Sequence, residues 1–64
     1  MRQVNLSGLI GKTMRTKDNT SPLMECVGYS IDENGFPIVH LLNPETGHIL
    51  EFFLSFVIVE GRRG

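Results

Sequence analysis

The chain has 64 residues, one cysteine, seven glycines and a formal net charge of −1. This length predicts a single domain over residues 1–64 with a small hydrophobic core, and one cysteine excludes an intrachain disulfide. There is no N-terminal apolar run, and no apolar stretch approaches the roughly 20 residues of a membrane span, so we expect a cytoplasmic protein.

The small net charge hides an uneven distribution along the chain. All seven acidic residues lie between Lys17 and Arg62, where no Lys or Arg occurs. The six basic residues all lie near the two ends: Arg2, Lys12, Arg15, Lys17, Arg62 and Arg63. If the two ends meet in space, the folded chain has a basic pole and an acidic body.

Composition favours strands over helices, because alanine is absent while Val, Ile and Thr supply 14 residues. The first predicted strand covers residues 9–17 and is followed by a polar loop over 18–22. The run from Gly8 to Thr13 does not match a phosphate-binding loop, because that motif needs a glycine five residues before Gly11, where Leu6 stands. We expect a glycine bend at the start of a strand instead.

The central third predicts a three-stranded antiparallel meander over residues 23–31, 36–43 and 48–53. Loops over 32–35 and 44–47 each end in glycine, which suits hairpins built around a type I turn. In the resulting register Ile31 is opposite Phe36, Tyr29 opposite Ile38, Val27 opposite His40, Leu41 opposite Leu50, His40 opposite Glu51 and Val39 opposite Phe52.

Alternation sorts these strands into an uncharged face and a mixed face. The uncharged face is the predicted core: Met24, Cys26, Gly28, Val39, Leu41, Leu50 and Phe52. The other face has a polar centre surrounded by apolar residues: Glu25, Val27, Tyr29, Ile38, His40, Leu42, Ile49, Glu51 and Phe53.

After the meander, residues 54–56 predict a tight helical turn and residues 57–60 a last strand. Five short strands with a one-turn helix before the last resemble an SH3-like small β-barrel of the Tudor or KOW kind, over residues 8–60. The resemblance implies an all-β, five-stranded antiparallel barrel in which the first and last strands are neighbours. Such barrels serve peptide binding, nucleic-acid binding and subunit assembly, so function depends on particular sites.

Catalytic and metal chemistry have little support. Cys26 and His40 fall on opposite faces of the predicted sheet, and no Cys or His pair has ligand spacing. We therefore expect Cys26 to be a core thiol, with no metal site, no cofactor and no enzymatic activity. His40 opposite Glu51 is a cross-strand polar pair that suits a pH-sensitive contact or a solvated salt bridge.

The run from Glu51 to Val59 is the most apolar part of the chain and needs to be buried or paired. Either an apolar patch on the mixed face binds a partner, or residues 4–10 fold over and cover it. The first alternative predicts a non-catalytic protein-interaction module, a regulator or inhibitor of a larger complex. Its contact residues would be Tyr29, Ile38, His40, Glu51 and Phe53.

Two further functions compete with this one. A nucleic-acid-binding barrel would use the basic pole, through Lys12, Arg15, Arg62 and Arg63. The absence of Trp and of aromatic residues within the basic segments disfavours it. A structural subunit of a homo-oligomer would pair its exposed strand edges with those of neighbouring copies.

Overall fold

One antiparallel sheet of five strands is the main element of the structure, a computed structural model that describes residues 6–60. The strands are β1 (Thr13–Thr16), β2 (Met24–Ile31), β3 (Pro37–Leu42), β4 (Ile49–Phe53) and β5 (Val57–Val59). Their order in the sheet is β4-β3-β2-β1-β5, so β4 and β5 form its two edges. The expectation of a mostly β fold with five antiparallel strands is confirmed.

The first predicted strand, over residues 9–17, is too long. Residues Leu6–Leu9 form a 3₁₀ turn, and β1 begins only at Thr13. Gly11 lies between them with φ +93°, a left-handed conformation that glycine adopts at no steric cost. Leu6 is buried and Leu9 packs on the core, so burial at the end of the sheet outweighs local strand propensity.

Both hairpin loops follow the prediction that glycine ends the turn, with φ +89° at Gly35 and +78° at Gly47. The β3–β4 register is also as predicted, with His40 opposite Glu51 and Leu41 opposite Leu50.

The predicted β2–β3 register is wrong in the half nearest the turn. Ile31 lies opposite Pro37 rather than Phe36, and Tyr29 lies opposite Val39 rather than Ile38. The cause is the loop, because the Asp32 N–H donates to the Phe36 carbonyl (3.0 Å) and closes a three-residue loop over 33–35.

A β-bulge at Val27 returns the rest of β2 to the predicted register. Beyond it, Cys26 is opposite Leu41 and Glu25 is opposite Leu42. Gly28, rather than Val27, is the aligned partner of His40. The side chains of residues 28–31 therefore lie on the faces opposite to those predicted. The side chains before the bulge lie on the predicted faces.

The core lies on one face of the sheet and is built by four of the five strands. Its members are Met14, Met24, Cys26, Val39, Leu41 and Val57. Apart from Gly28, the predicted core residues of β2 and β3 are thus confirmed: Met24, Cys26, Val39 and Leu41. The thiol of Cys26 is fully buried. On β4, by contrast, Leu50 is 39% exposed and Phe52 is only partly buried.

The predicted pairing of the first and last strands is confirmed, since Met14 lies opposite Val59 and Thr16 opposite Val57. The predicted turn is a 3₁₀ turn over Leu54–Phe56, and the Phe56 carbonyl accepts a hydrogen bond from Lys17 N–H (2.9 Å). No helix within residues 6–60 has the length and apolar composition that a membrane span requires.

Candidate interaction surface

Four of the five predicted contact residues form one block on adjacent strands. Ile38 is opposite Phe53, and His40 is opposite Glu51. Directly opposite residues of an antiparallel pair share a face, and so do residues two apart along a strand. We call Ile38, His40, Glu51 and Phe53 the outer-face block.

The polar centre of the outer-face block has a third member that the sequence reasoning missed. His40 Nε2 lies 3.9 Å from Glu51 Oε2 and shares a 3.0 Å hydrogen bond with Ser30 Oγ. Ser30 reaches this face because the shorter first loop shifts the register of β2 next to the turn, which no pattern of apolar alternation reveals. His40 is thus held on both sides, by β2 and by β4.

Gly28 lies directly against the imidazole of His40. A Cβ at this position would lie 3.4 Å from His40 Nδ1, at the near limit of ordinary van der Waals contact. A methyl group would therefore just touch the ring.

An open apolar pocket of ≈ 470 Å³ adjoins the Phe53 end of the outer-face block. The Phe36 and Phe53 rings meet edge to face there, with centroids 6.5 Å apart and an interplanar angle of 89°. Both rings remain about half exposed, at 58% and 49%. The pocket, here called the aromatic pocket, is lined by Phe36, Pro37, Phe53, Leu54 and Ser55.

Sequence analysis identified one residue of the aromatic pocket, Phe53, and missed the others. Phe36 was placed inside a strand, and Leu54 and Ser55 were treated only as a turn. The pocket depends on how the second 3₁₀ turn lies beside the start of β3, which is a tertiary feature. The one available signal was the recurrence of phenylalanine at positions 36, 52, 53 and 56.

Tyr29 does not join the outer-face block. Because it lies opposite Val39, a buried core residue, alternation places it on the core face, near the end of the sheet. Its ring is 40% exposed there. The grouping of Tyr29 with Ile38 and Phe53 was therefore wrong, and the register shift is the reason.

Residues 6–10 do not cover the exposed apolar side chains, as one of the two alternatives for residues 4–10 expects. Leu9 packs against the core cluster, Leu6 is buried, and the turn that contains them contacts β2. Phe53 and Ile58 remain exposed, at 49% and 38%. Residues 4 and 5 lie outside the described part of the chain.

The β4 edge carries unpaired backbone groups in a definable pattern. Asn43 N–H donates to the His48 carbonyl (2.8 Å), and hydrogen-bonded pairs recur every second residue in an antiparallel ladder. The N–H and C=O groups of Ile49 and Glu51, and the N–H of Phe53, therefore point away from β3, toward the free edge. The Phe53 carbonyl belongs to the 3₁₀ turn that follows β4.

The predicted basic pole is only partly formed by the described residues. Arg15 Nε donates to Glu60 Oε2 at 2.8 Å, and its guanidinium also donates to Asn19 Oδ1. Lys12 lies three residues before Arg15 along extended chain, so the two side chains fall on opposite faces. Arg62 and Arg63 lie outside the described residues.

The loop after β1 has its own polar network. Asp18 Oδ1 accepts hydrogen bonds from the Thr16 hydroxyl (2.6 Å), the Thr20 hydroxyl (2.8 Å) and the Thr20 N–H (3.1 Å). These bonds, the one from Thr16 foremost, lower the pKa of Asp18 below its usual value of 3.8. The network holds the loop in one conformation.

Cys26 is separated from the polar centre by the sheet itself. It lies opposite Leu41 on the core face, whereas His40 lies on the other face, and its thiol donates to the Gly28 carbonyl (3.3 Å). Within residues 6–60, no three His, Cys, Asp or Glu side chains are grouped as metal ligands.

Comparison with known proteins gives no family. No protein-family model matches the sequence, and neither a curated protein nor a solved structure is significantly similar to it.

Proposed function

We propose that this chain is a non-catalytic protein-interaction module that binds a partner through the outer-face block and the aromatic pocket. The observation that carries the proposal is the exposed aromatic pair, Phe36 and Phe53, beside an unpaired strand edge. Aromatic side chains at the centre of a contact surface tend to carry much of the binding energy.

The balance of apolar residues supports the proposal. Among the described residues, twelve large apolar side chains are exposed, compared with seven buried apolar residues. Exposed apolar side chains that are contiguous, as at the aromatic pocket, mark interaction sites more often than isolated ones do.

We also propose that the fold is a variant of the SH3-like small barrel whose sheet is open between β4 and β5. The strand order β4-β3-β2-β1-β5 and the 3₁₀ turn before β5 support this finer assignment. We further propose that the chain acts in the cytoplasm as a regulator or inhibitor of a larger complex. A solved structure in complex with the partner would test both points.

A homo-oligomer is the second candidate, because both sheet edges, β4 and β5, carry exposed apolar residues. It predicts a solution mass that is a multiple of the chain mass. A nucleic-acid-binding role is less supported, because Arg15 is occupied by Glu60 and Asn19.

The test compares the variants Phe53→Asp and Ile10→Asp. The two wild-type side chains are almost equally exposed, at 49% and 50%, but Ile10 precedes β1, far from β4 in the sheet order. Tagged wild type and both variants are used to recover partners from nuclease-treated native lysate, and the mass of each is measured by ultracentrifugation.

We expect Phe53→Asp to lose the partner while remaining folded by circular dichroism, and Ile10→Asp to keep it. Equal recovery by all three chains would exclude the outer-face block as the binding site. Loss of all recovered proteins after nuclease treatment would favour the nucleic-acid role. A multimeric mass that only Phe53→Asp abolishes would favour the homo-oligomer.

A further inference from the structure

The free edge of β4 can accept one more strand. The N–H and C=O groups of Ile49 and Glu51, and the N–H of Phe53, point outward, as the hydrogen bond between Asn43 and His48 requires. An extended segment laid along this edge gains main-chain hydrogen bonds, and the side chains beside it set the specificity.

The side chains of these same three residues lie on one face. Ile49, Glu51 and Phe53 are opposite Leu42, His40 and Ile38, respectively. An added strand therefore meets, at every second position, an apolar residue, a carboxylate and another apolar residue. At the Phe53 end the aromatic pocket provides room for a large aliphatic or aromatic side chain.

Within residues 6–60, no Lys or Arg forms an ion pair with the carboxylate at the centre of this edge. The Glu51 carboxylate is 66% exposed and lies 3.9 Å from His40 Nε2. The Lys and Arg residues within 6–60 all lie on β1 or directly beside it, three positions from β4 in the sheet. A basic side chain on an added strand would complement Glu51.

The same carboxylate disfavours a second copy of this chain as the occupant. In the antiparallel register that pairs all five residues of β4 with another β4, Glu51 lies opposite its own equivalent. Directly opposed like charges destabilise a strand pair. A different, basic segment is the better complement.

We infer that the β4 edge binds an extended peptide segment of the pattern apolar-x-basic-x-apolar, with Lys or Arg opposite Glu51 and one apolar side chain in the aromatic pocket. This inference rests on the proposed function and names the chemistry of its partner. The segment lies antiparallel to β4, so that the N–H of its basic residue faces the Glu51 carbonyl.

The probe is a capped heptapeptide, Thr-Leu-Thr-Arg-Thr-Leu-Thr, titrated into the full 64-residue chain and followed by amide NMR shifts and by calorimetry. One control peptide carries Glu in place of Arg. A second is N-methylated at Arg, which keeps the charge but removes the N–H that would face Glu51. The protein variant is Glu51→Lys, at an exposed position where the fold tolerates substitution.

We expect saturable binding of the Arg peptide, with shifts along β4 and at Phe36. Glu51→Lys should weaken it between about threefold and tenfold, the range for an exposed ion pair turned into repulsion. The Glu peptide should bind Glu51→Lys better than it binds wild type, and N-methylation should weaken binding to both proteins.

Equal binding of Arg and Glu peptides, undiminished binding of the N-methylated peptide, or no binding at all would overturn the inference. The proposed function would survive that result if Phe53→Asp still lost the partner that Ile10→Asp keeps. If both of those variants kept the same partner, the proposed function itself would fail.

Discussion

The two edge strands of the sheet, β4 and β5, are both short and apolar, but only β5 has a residue buried in the core. Val57 of β5 is buried in the core, and Glu60, directly after β5, is bound through its N–H to the Thr13 carbonyl and through its carboxylate to Arg15. No residue of β4 is buried.

The difference shows that strand propensity and apolar content do not decide exposure. The packing of β5 on β1 gives Val57 core neighbours such as Met14. On β4 only Phe52 packs against the core. The outer face of β4 is solvent-exposed and adjoins the aromatic pocket at Phe53. We interpret β5 as the structural edge and β4 as the binding edge.

The largest expected effect comes from a matched pair of leucines in β3 and β4. Leu41 and Leu50 lie directly opposite each other, but Leu41 is fully buried and Leu50 is 39% exposed. Leu41→Ala should lower the free energy of unfolding by about 2–5 kcal/mol, because it removes apolar contact and leaves a cavity. Leu50→Ala should cost less than half as much in urea unfolding. Equal losses would show that β4 is as well packed as β3.

A smaller effect is expected at the β5 edge. Arg15→Gln should lower the free energy of unfolding by roughly 0.2–1 kcal/mol, since both partners of its ion pair with Glu60 are about one-third exposed. A double-mutant cycle with Glu60→Gln measures the pair, and added salt should reduce the coupling. A coupling of zero at low salt would mean that backbone pairing and Val57 alone hold β5.

The smallest effect concerns the loop that follows β1. Because hydrogen bonds lower the pKa of Asp18 in the folded chain, its contribution to stability is present above the unfolded pKa. That contribution is lost as the pH falls through the lower, folded pKa. Asp18→Asn should therefore flatten the acid limb of the stability–pH curve. An NMR titration that placed the Asp18 pKa at or above 3.8 would contradict this account.

Much of the sheet was predictable because turn chemistry is local. The glycines at 35 and 47 located both hairpins, and the second loop fixed the pairing of His40 with Glu51. The pairing of β1 with β5 followed from the resemblance to a small barrel and is present in the structure.

The parts that were missed depend on hydrogen bonds or contacts that sequence patterns do not reveal. The Asp32 carboxylate accepts bonds from the Asn34 and Phe36 amides (2.9 and 2.8 Å), which shortens the first loop by one residue. That change, with the bulge at Val27, moved Tyr29 out of the site and Ser30 into it. The aromatic pocket required the position of the second 3₁₀ turn.

Amide hydrogen exchange along β4, with and without the bound arginine heptapeptide, tests the central claim most directly. In the free chain at low concentration, the amides of Ile49, Glu51 and Phe53 should exchange rapidly, while those of Leu50 and Phe52 are protected by β3. Binding should protect the first three. Protection of all five in the free monomer, or no change on binding, would contradict the assignment of β4 as the binding edge.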